Sequence, residues 1–314
     1  MITQPRTIPA FGLAVMLVLA STALAQTPAR FSTMPGDHRF DIALDGKPFA
    51  TYVYLDPNIP RPFFCNIRAA DGTPITRPHP AEPDDDHQDL HPGIWLAFGD
   101  IDGFDYWRNK SPIRHDRFIE QPKAEGDTLR FTVLNRYMGG ERTVCLETGA
   151  VVLRAMPQGV LMEWTSTFRS DDGAFTFGDQ EEMGLGFRLA DPFTVDPGNG
   201  SFVTDTGLRN EAEVWGKTAK WCDYSGTANG IRYGIALLAS PQNIRPCWMH
   251  SRDYGFLSAN VFGENAMTGG PKNATRVEVS KELTLRYGLL IHWGPEGEVV
   301  DVEKVHDTYV QPTR

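Results

Sequence analysis

The chain reads as an all-β protein, a large antiparallel β-sandwich with long loops. Three observations predict this. Short runs of residues alternate between apolar and polar with a period of two. Thirty glycines and twenty-three prolines break those runs at short intervals. Apart from the N-terminal segment, no helical stripe longer than about ten residues stands out.

The N-terminus is read separately from the fold. Arg6 supplies a positive n-region, Ala10 to Ala20 an apolar h-region, and Ala23-Leu24-Ala25 a small-x-small cleavage site. The apolar run is short for a bilayer span. Residues 1–25 are therefore expected to be a cleaved signal peptide. Residues 26–314 are expected to form a single β-sandwich domain. The residue after the cut is Gln26 rather than cysteine, so no membrane anchor is expected after cleavage. The mature protein is expected in the periplasm or secreted.

The strands follow in order. Phe40 to Leu44, Phe49 to Leu55, Thr128 to Leu134 and Val151 to Met156 each alternate. So do Gly159 to Phe168, Ala174 to Phe177, Ile231 to Leu238, Val277 to Leu285 and Tyr287 to His292. Bounded by Gly, Pro, Asn and Asp, such runs predict half-buried antiparallel strands. Val300 to Val310 predicts one short terminal helix, with Val302, Val305, His306 and Tyr309 on one side.

The chain carries a net charge of −10, and loss of Arg6 makes the mature chain one unit more acidic. With no long basic run, this argues against nucleic acid or an anionic membrane as partner. It suits a neutral small-molecule or oligosaccharide substrate better than a polyanion. The four cysteines, Cys65, Cys145, Cys222 and Cys247, allow three pairings in an oxidising compartment. Four buried thiols are the other reading. No C-x-x-C spacing exists, and no G-x-S-x-G, phosphate loop, G-x-G-x-x-G after a strand or H-E-x-x-H is present. Serine hydrolase, nucleotide enzyme, dehydrogenase and zincin readings therefore lose ground.

The stretch from Asp84 to His115 is the densest in chemistry. It holds His87, His91 and His115, the acids Asp89, Asp100, Asp102 and Asp105, and the indoles of Trp95 and Trp107. Later blocks add to it: Gly184 to Pro192, Ala219 to Gly226, Ser240 to Pro246, Tyr254-Gly255-Phe256 and Leu285 to Gly294. The run Gly93 to Trp107, GIWLAFGDIDGFDYW, resembles the PmoA-like family, catalogued under a methane-oxygenase name, and the later blocks follow in that family's order over about residues 40 to 310. Many members of that family carry adjacent histidines at the turn. Here His91 keeps its offset from Gly93, Leu90 stands where a second histidine would be, and His87 is shifted by one. The resemblance implies a β-sandwich similar to the galactose-mutarotase supersandwich, a fold that presents a concave sheet face to sugars.

Candidate residues follow from chemistry. His91 is the first, as an imidazole able to give or take a proton near neutral pH. Glu182, or its neighbour Glu181, would supply the carboxylate of an acid–base pair, and His250 a second imidazole. Arg188, Asn243, Arg245, His115 and His292 are candidate substrate-binding groups. Trp95 and Trp248 are candidates to stack on a sugar ring. No cofactor is called for. In the alternative reading, His87, Asp89 and His91 lie on one face of a strand and hold a divalent metal. The leading expectation is an exported carbohydrate-active enzyme that hydrolyses, eliminates or epimerises a glycoside or sugar by His/Glu acid–base chemistry. The alternatives are a non-catalytic carbohydrate-binding protein and a metal-dependent oxygenase or hydrolase.

Overall fold

A computed structural model describes residues 1–2 and 29–311. The expected signal segment lies almost wholly outside the described residues. The strands in chain order are β1 (Phe31–Gly36), β2 (Arg39–Leu44), β3 (Lys47–Val53), β4 (Phe63–Cys65), β5 (Ile94–Phe98), β6 (Ile113–Glu125), β7 (Thr128–Gly139), β8 (Arg142–Met156) and β9 (Gly159–Arg169). They continue as β10 (Phe175–Phe177), β11 (Met183–Arg188), β12 (Ser201–Thr204), β13 (Trp221–Ala228), β14 (Ile231–Ala239), β15 (Trp248–Arg252), β16 (Phe256–Asn260), β17 (Thr275–Val277) and β18 (Glu282–Pro295). Among the described residues the α-helices are α1 (Asn210–Val214), α2 (Glu264–Thr268) and α3 (Val302–Val310).

Two eight-stranded sheets form a large antiparallel sandwich. The first runs β1-β2-β3-β4-β5-β11-β16-β15 and the second β12-β13-β14-β18-β9-β8-β7-β6, with β10 and β17 as a separate ribbon. The inward residues of both sheets make one buried cluster. Aromatic rings interlock across it. Tyr52 of the first sheet lies 4.8 Å from Phe131 of the second, and Phe98 lies 5.4 Å edge-on to Phe168. Each buried ring of this kind contributes about 1.5–3 kcal/mol of transfer free energy. Alternation places the opposite residues outside. On β5, Ile94, Leu96 and Phe98 point into the core, while Trp95 and Ala97 join a second buried cluster on the outer face.

The expected runs all fall on strands, but β1, β4, β5, β6, β11, β12, β13, β15 and β16 lie outside them, and β8 starts well before Val151. The runs ending at Leu285 and His292 are one fourteen-residue strand, β18. Its N-terminal part does not reach Val277, which pairs instead with Phe175 in the ribbon. β6 has no counterpart among the expected strands, because its alternation is blurred by charge and by Pro122. As an edge strand it tolerates both. The terminal helix is present as α3, capped by Asp301, whose carboxylate accepts the Lys304 N–H at 3.0 Å. Its Val302, Val305 and Tyr309 cover Leu161, Leu238 and Leu290 on the outer face of the second sheet. No described helix is long and apolar enough to cross a membrane. All four cysteines are free, buried thiols, so no disulfide is formed. Burial pushes the Cys65 and Cys247 thiols up to about 12, which makes them unreactive.

One acid lies inside the sandwich. Glu147 faces inward from β8 and accepts hydrogen bonds from the Ser166 hydroxyl at 2.5 Å and the Asn135 amide at 3.1 Å. Burial raises its pKa, and those hydrogen bonds only partly oppose the rise.

Candidate active site on the outer face of the first sheet

The site is built on the central strand β11, which pairs with β5 on one side and β16 on the other. Its outward positions are Gly184, Gly186 and Arg188. Gly186 lies between Trp95 and Ser258 in register. A β-carbon added there would meet Ser258 and the Trp107 and Trp95 rings at 3.2–3.3 Å. The glycine therefore lets two indoles close over the strand, Trp95 from β5 and Trp107 from the following loop. The rings meet edge-on at 5.4 Å and form a wall with Phe63 and Phe256.

His91 lies against this wall. Its ring stacks on Trp95 at 5.0 Å and on Phe256 at 4.9 Å, within 17° of parallel in both cases. It is 4% exposed, and its Nδ1 has no hydrogen-bond partner in the protein. Burial holds its pKa well below 6.5, and the charges of His87, Arg188, Arg61 and Arg77 lower it further. His250 meets the same Phe256 ring from another side, edge-on at 4.9 Å. Its Nδ1 lies 3.2 Å from the Glu181 carbonyl. A carbonyl only accepts, so Nδ1 carries the hydrogen and Nε2 keeps its lone pair. Burial first, then Arg252, push this imidazole down to about 3. Both histidines are thus neutral at ordinary pH. Glu182 forms an ion pair with Arg108, and Arg108 also acts on His250.

Residues 84–92 cover the wall as a series of turns. Asp86 bonds Arg188 at 2.9 Å and His87 Nδ1 at 3.0 Å, and Asp85 bonds Arg77 at 2.9 Å. His87 adopts a left-handed backbone (φ 48°) and stacks its ring on His91 at 4.8 Å and 8°. Arg61 ties the neighbouring segments together through the carbonyls of Leu90 and Trp107, at 2.6 and 2.8 Å. Arg188 lies over the Tyr254 ring at 4.3 Å.

Of the expected residues, the structure brings His91, Trp95, Glu182, Arg188 and His250 to this one face. Trp248 is on the same face of β15, two residues from His250 and paired with Asn260. Three others lie elsewhere. His115 is on β6 of the second sheet, packed on Tyr54 and Phe118. His292 is on β18, with Nε2 2.7 Å from Asp223. Asn243 is committed to the backbone of Arg286, donating to its carbonyl and accepting its N–H. The metal alternative is corrected. Residues 87–91 form turns rather than a strand, Asp89 is exposed, and the His87 and His91 rings are nearly parallel. Imidazole lone pairs lie in the ring plane, so two parallel rings do not converge on one ion. Among the described residues no group of three metal-ligating side chains is gathered.

A roomy cavity of about 740 Å³ lies elsewhere, lined by Asn243, Arg245, Lys220 and His306 among others. Several of its polar groups are already engaged: Arg245 with Thr275, Lys220 with Glu303, and His306 with the Ala239 carbonyl. Around His91, by contrast, His91 Nδ1 and Arg188 Nε and Nη1 are buried without hydrogen-bond partners in the protein. Sequence reasoning missed Arg61, Arg77, Arg108 and Phe256 as site residues. The arginines reach the site through tertiary packing and carry no local pattern that marks them, whereas Phe256 lay in the Tyr254-Gly255-Phe256 block without being singled out.

The comparisons with known proteins come to three findings. A family described as of unknown function (DUF6807) matches residues 39–306, and nothing supports the methane-oxygenase name that the motif suggested. No curated protein matches. Solved structures with a similar course include a GH36 α-galactosidase from Geobacillus stearothermophilus determined with raffinose, at 8% identity and a TM-score of 0.42. That match covers 85% of this chain and 41% of the α-galactosidase, so the chain spans about two-fifths of its length. A galactose mutarotase-like protein from Lactobacillus casei aligns at 10% identity and a TM-score of 0.34, over 84% of this chain and 100% of that one.

Proposed function

We propose that this chain, which belongs to the family of unknown function DUF6807, is an exported carbohydrate-active enzyme. Its His/Glu acid–base chemistry takes place on the outer face of the first sheet, within a sandwich domain of residues 26–314. The N-terminal apolar segment supports export to the periplasm or beyond.

One observation carries the reading. Two neutral imidazoles, His91 and His250, contact one aromatic ring, Phe256, beside an arginine-held glutamate. Imidazole and carboxylate provide the proton donor and acceptor that glycoside hydrolysis, elimination or epimerisation requires. Tyr254, only partly buried, is the aromatic ring placed to meet the C–H side of a pyranose, while the buried Trp95 and Trp107 back His91. Burial is the largest cause of both histidine shifts. A polar substrate and water admitted beside His91 and His250 would return both groups toward 6.5, where proton transfer is efficient.

Proton NMR of the purified protein with a panel of glycosides and free sugars tests this, run beside His91→Ala. New product signals are expected from the wild type, and a loss of about 10²–10⁴ in rate from the variant. Line broadening without products, equal in both proteins, would point to a binding protein instead.

A further inference from the structure

Around His91 the buried cations outnumber the acids that face them. Arg61, Arg77 and Arg188 are each at most 5% exposed. Arg61 is taken up by carbonyls and by Asn109. Arg77 and Arg188 meet only the carboxylates of one turn, Asp85 and Asp86, along with the Asp86 carbonyl. That match is incomplete, since Arg188 keeps both Nε and Nη1 without a hydrogen-bond partner in the protein. A buried guanidinium whose donors are unmatched is costly, and a planar carboxylate is the group that fits its fork. The carboxylate on it now belongs to a side chain that is 46% exposed, in a segment built of turns. Because the guanidinium is buried, a carboxylate must stay on it. A ligand carboxylate arriving as Asp86 leaves keeps it paired, and the exposed side of the pair is where that exchange can occur.

We propose that Arg188 and Arg77 form a carboxylate subsite, and that the sugar taken at His91 is a uronic acid whose carboxylate replaces that of Asp86. The inference rests on the carbohydrate reading above and specifies its substrate class. Arg188 lies over the partly exposed Tyr254 ring, and His91 is stacked on Trp95 and Phe256 beside it, so a pyranose held by its carboxylate on Arg188 sits between Tyr254 and His91. The net charge of −10 repels a long polyanion but opposes one carboxylate only weakly. A mono- or disaccharide uronide is therefore the favoured ligand.

The test is calorimetric titration of the purified protein with methyl β-D-glucuronide and methyl α-D-galacturonide. Each is compared with its neutral methyl ester, the matching methyl glycoside and a 6-sulfated galactoside. The uronide is expected to bind tightest. Asp86→Asn keeps the turn's shape but removes its charge, and should tighten uronide binding about tenfold while changing ester binding little. Arg188→Gln should lose the preference for uronide over ester and still bind the ester, which shows that it is folded. If ester and uronide bind alike in both wild type and Asp86→Asn, the carboxylate subsite is overturned and the carbohydrate reading stands. Preference for the sulfated sugar overturns the uronate assignment as well. If no sugar binds to either protein, the carbohydrate reading itself fails.

Discussion

His250 donates Nδ1–H to the Glu181 carbonyl and presses edge-on against Phe256, and burial holds its pKa at about 3. Its folded pKa therefore lies below the unfolded value of about 6.5. The stability tied to its neutral form is complete above that value and is lost as the pH falls from 6.5 toward 3. His91, lowered by the same cause, adds to the loss. In urea titrations between pH 7 and 4 the wild-type midpoint should fall, and His250→Asn should flatten the slope. An unchanged slope would mean that His250 is solvated. Glu147 works in the opposite sense. Its folded pKa is raised above the usual 4.5, so stability is present below that value and is lost as the pH rises through the folded pKa. Glu147→Gln keeps an acceptor for Ser166 and should gain on the wild type in melting temperature as the pH is raised from 4.5 to 8. A constant difference would contradict the raised pKa. At this scale, His91 and Trp95 were legible because they lie within one short motif. Arg61, Arg77 and Arg108 were not, because an arginine becomes a site residue only through what folds around it. His115 shared the motif region yet ends on the opposite sheet, since sequence proximity stops at the first strand that changes sheets.

The element that makes the site is β11. Alternation puts Met183, Leu185 and Phe187 into the core and leaves two glycines outward. Gly184 has φ +101°, and a β-carbon there would lie 1.9 Å from the Ala259 carbonyl oxygen. Gly186 has ordinary backbone angles and is limited only by the surrounding rings. Gly184→Ala should therefore be the more damaging, through backbone strain and collision with β16. Gly186→Ala should cost about 1–3 kcal/mol, the usual penalty of overpacking. Thermal unfolding of both variants checks the order, and a reversed order would contradict the pairing of β11 with β16. The long strands of the second sheet, β7, β8, β9, β14 and β18, were legible from period-two runs, whereas β5 and β11, buried on both faces, show no such alternation. β6 was not legible either, since an edge strand needs no apolar face on every turn of the pleat. The metal alternative placed His87, Asp89 and His91 on one face of a strand, because His-x-Asp-x-His has a strand's period; the segment forms turns, without a hydrogen-bonded partner strand.

At the scale of the whole molecule, two sheets share one interior and differ in what covers their outer faces. α3 seals the second sheet with Val302, Val305 and Tyr309. The first sheet is covered by residues 84–92, a segment of turns held by ion pairs and stacked imidazoles. An apolar seal is non-directional, whereas the cover of the first face rests on directional pairs between buried arginines and the more exposed Asp85 and Asp86. The sandwich architecture followed from the pattern of short strands, but which outer face gathers His91, His250, Glu182 and Arg188 did not, because that depends on which loops fold over which sheet. The most direct measurement is the rate of product formation from the best sugar substrate by wild type, His91→Ala and His115→Ala. The account predicts that His91→Ala loses nearly all turnover and that His115→Ala, on the opposite sheet, retains it. Equal activity in His91→Ala, or loss only in His115→Ala, would contradict the placement of the active site.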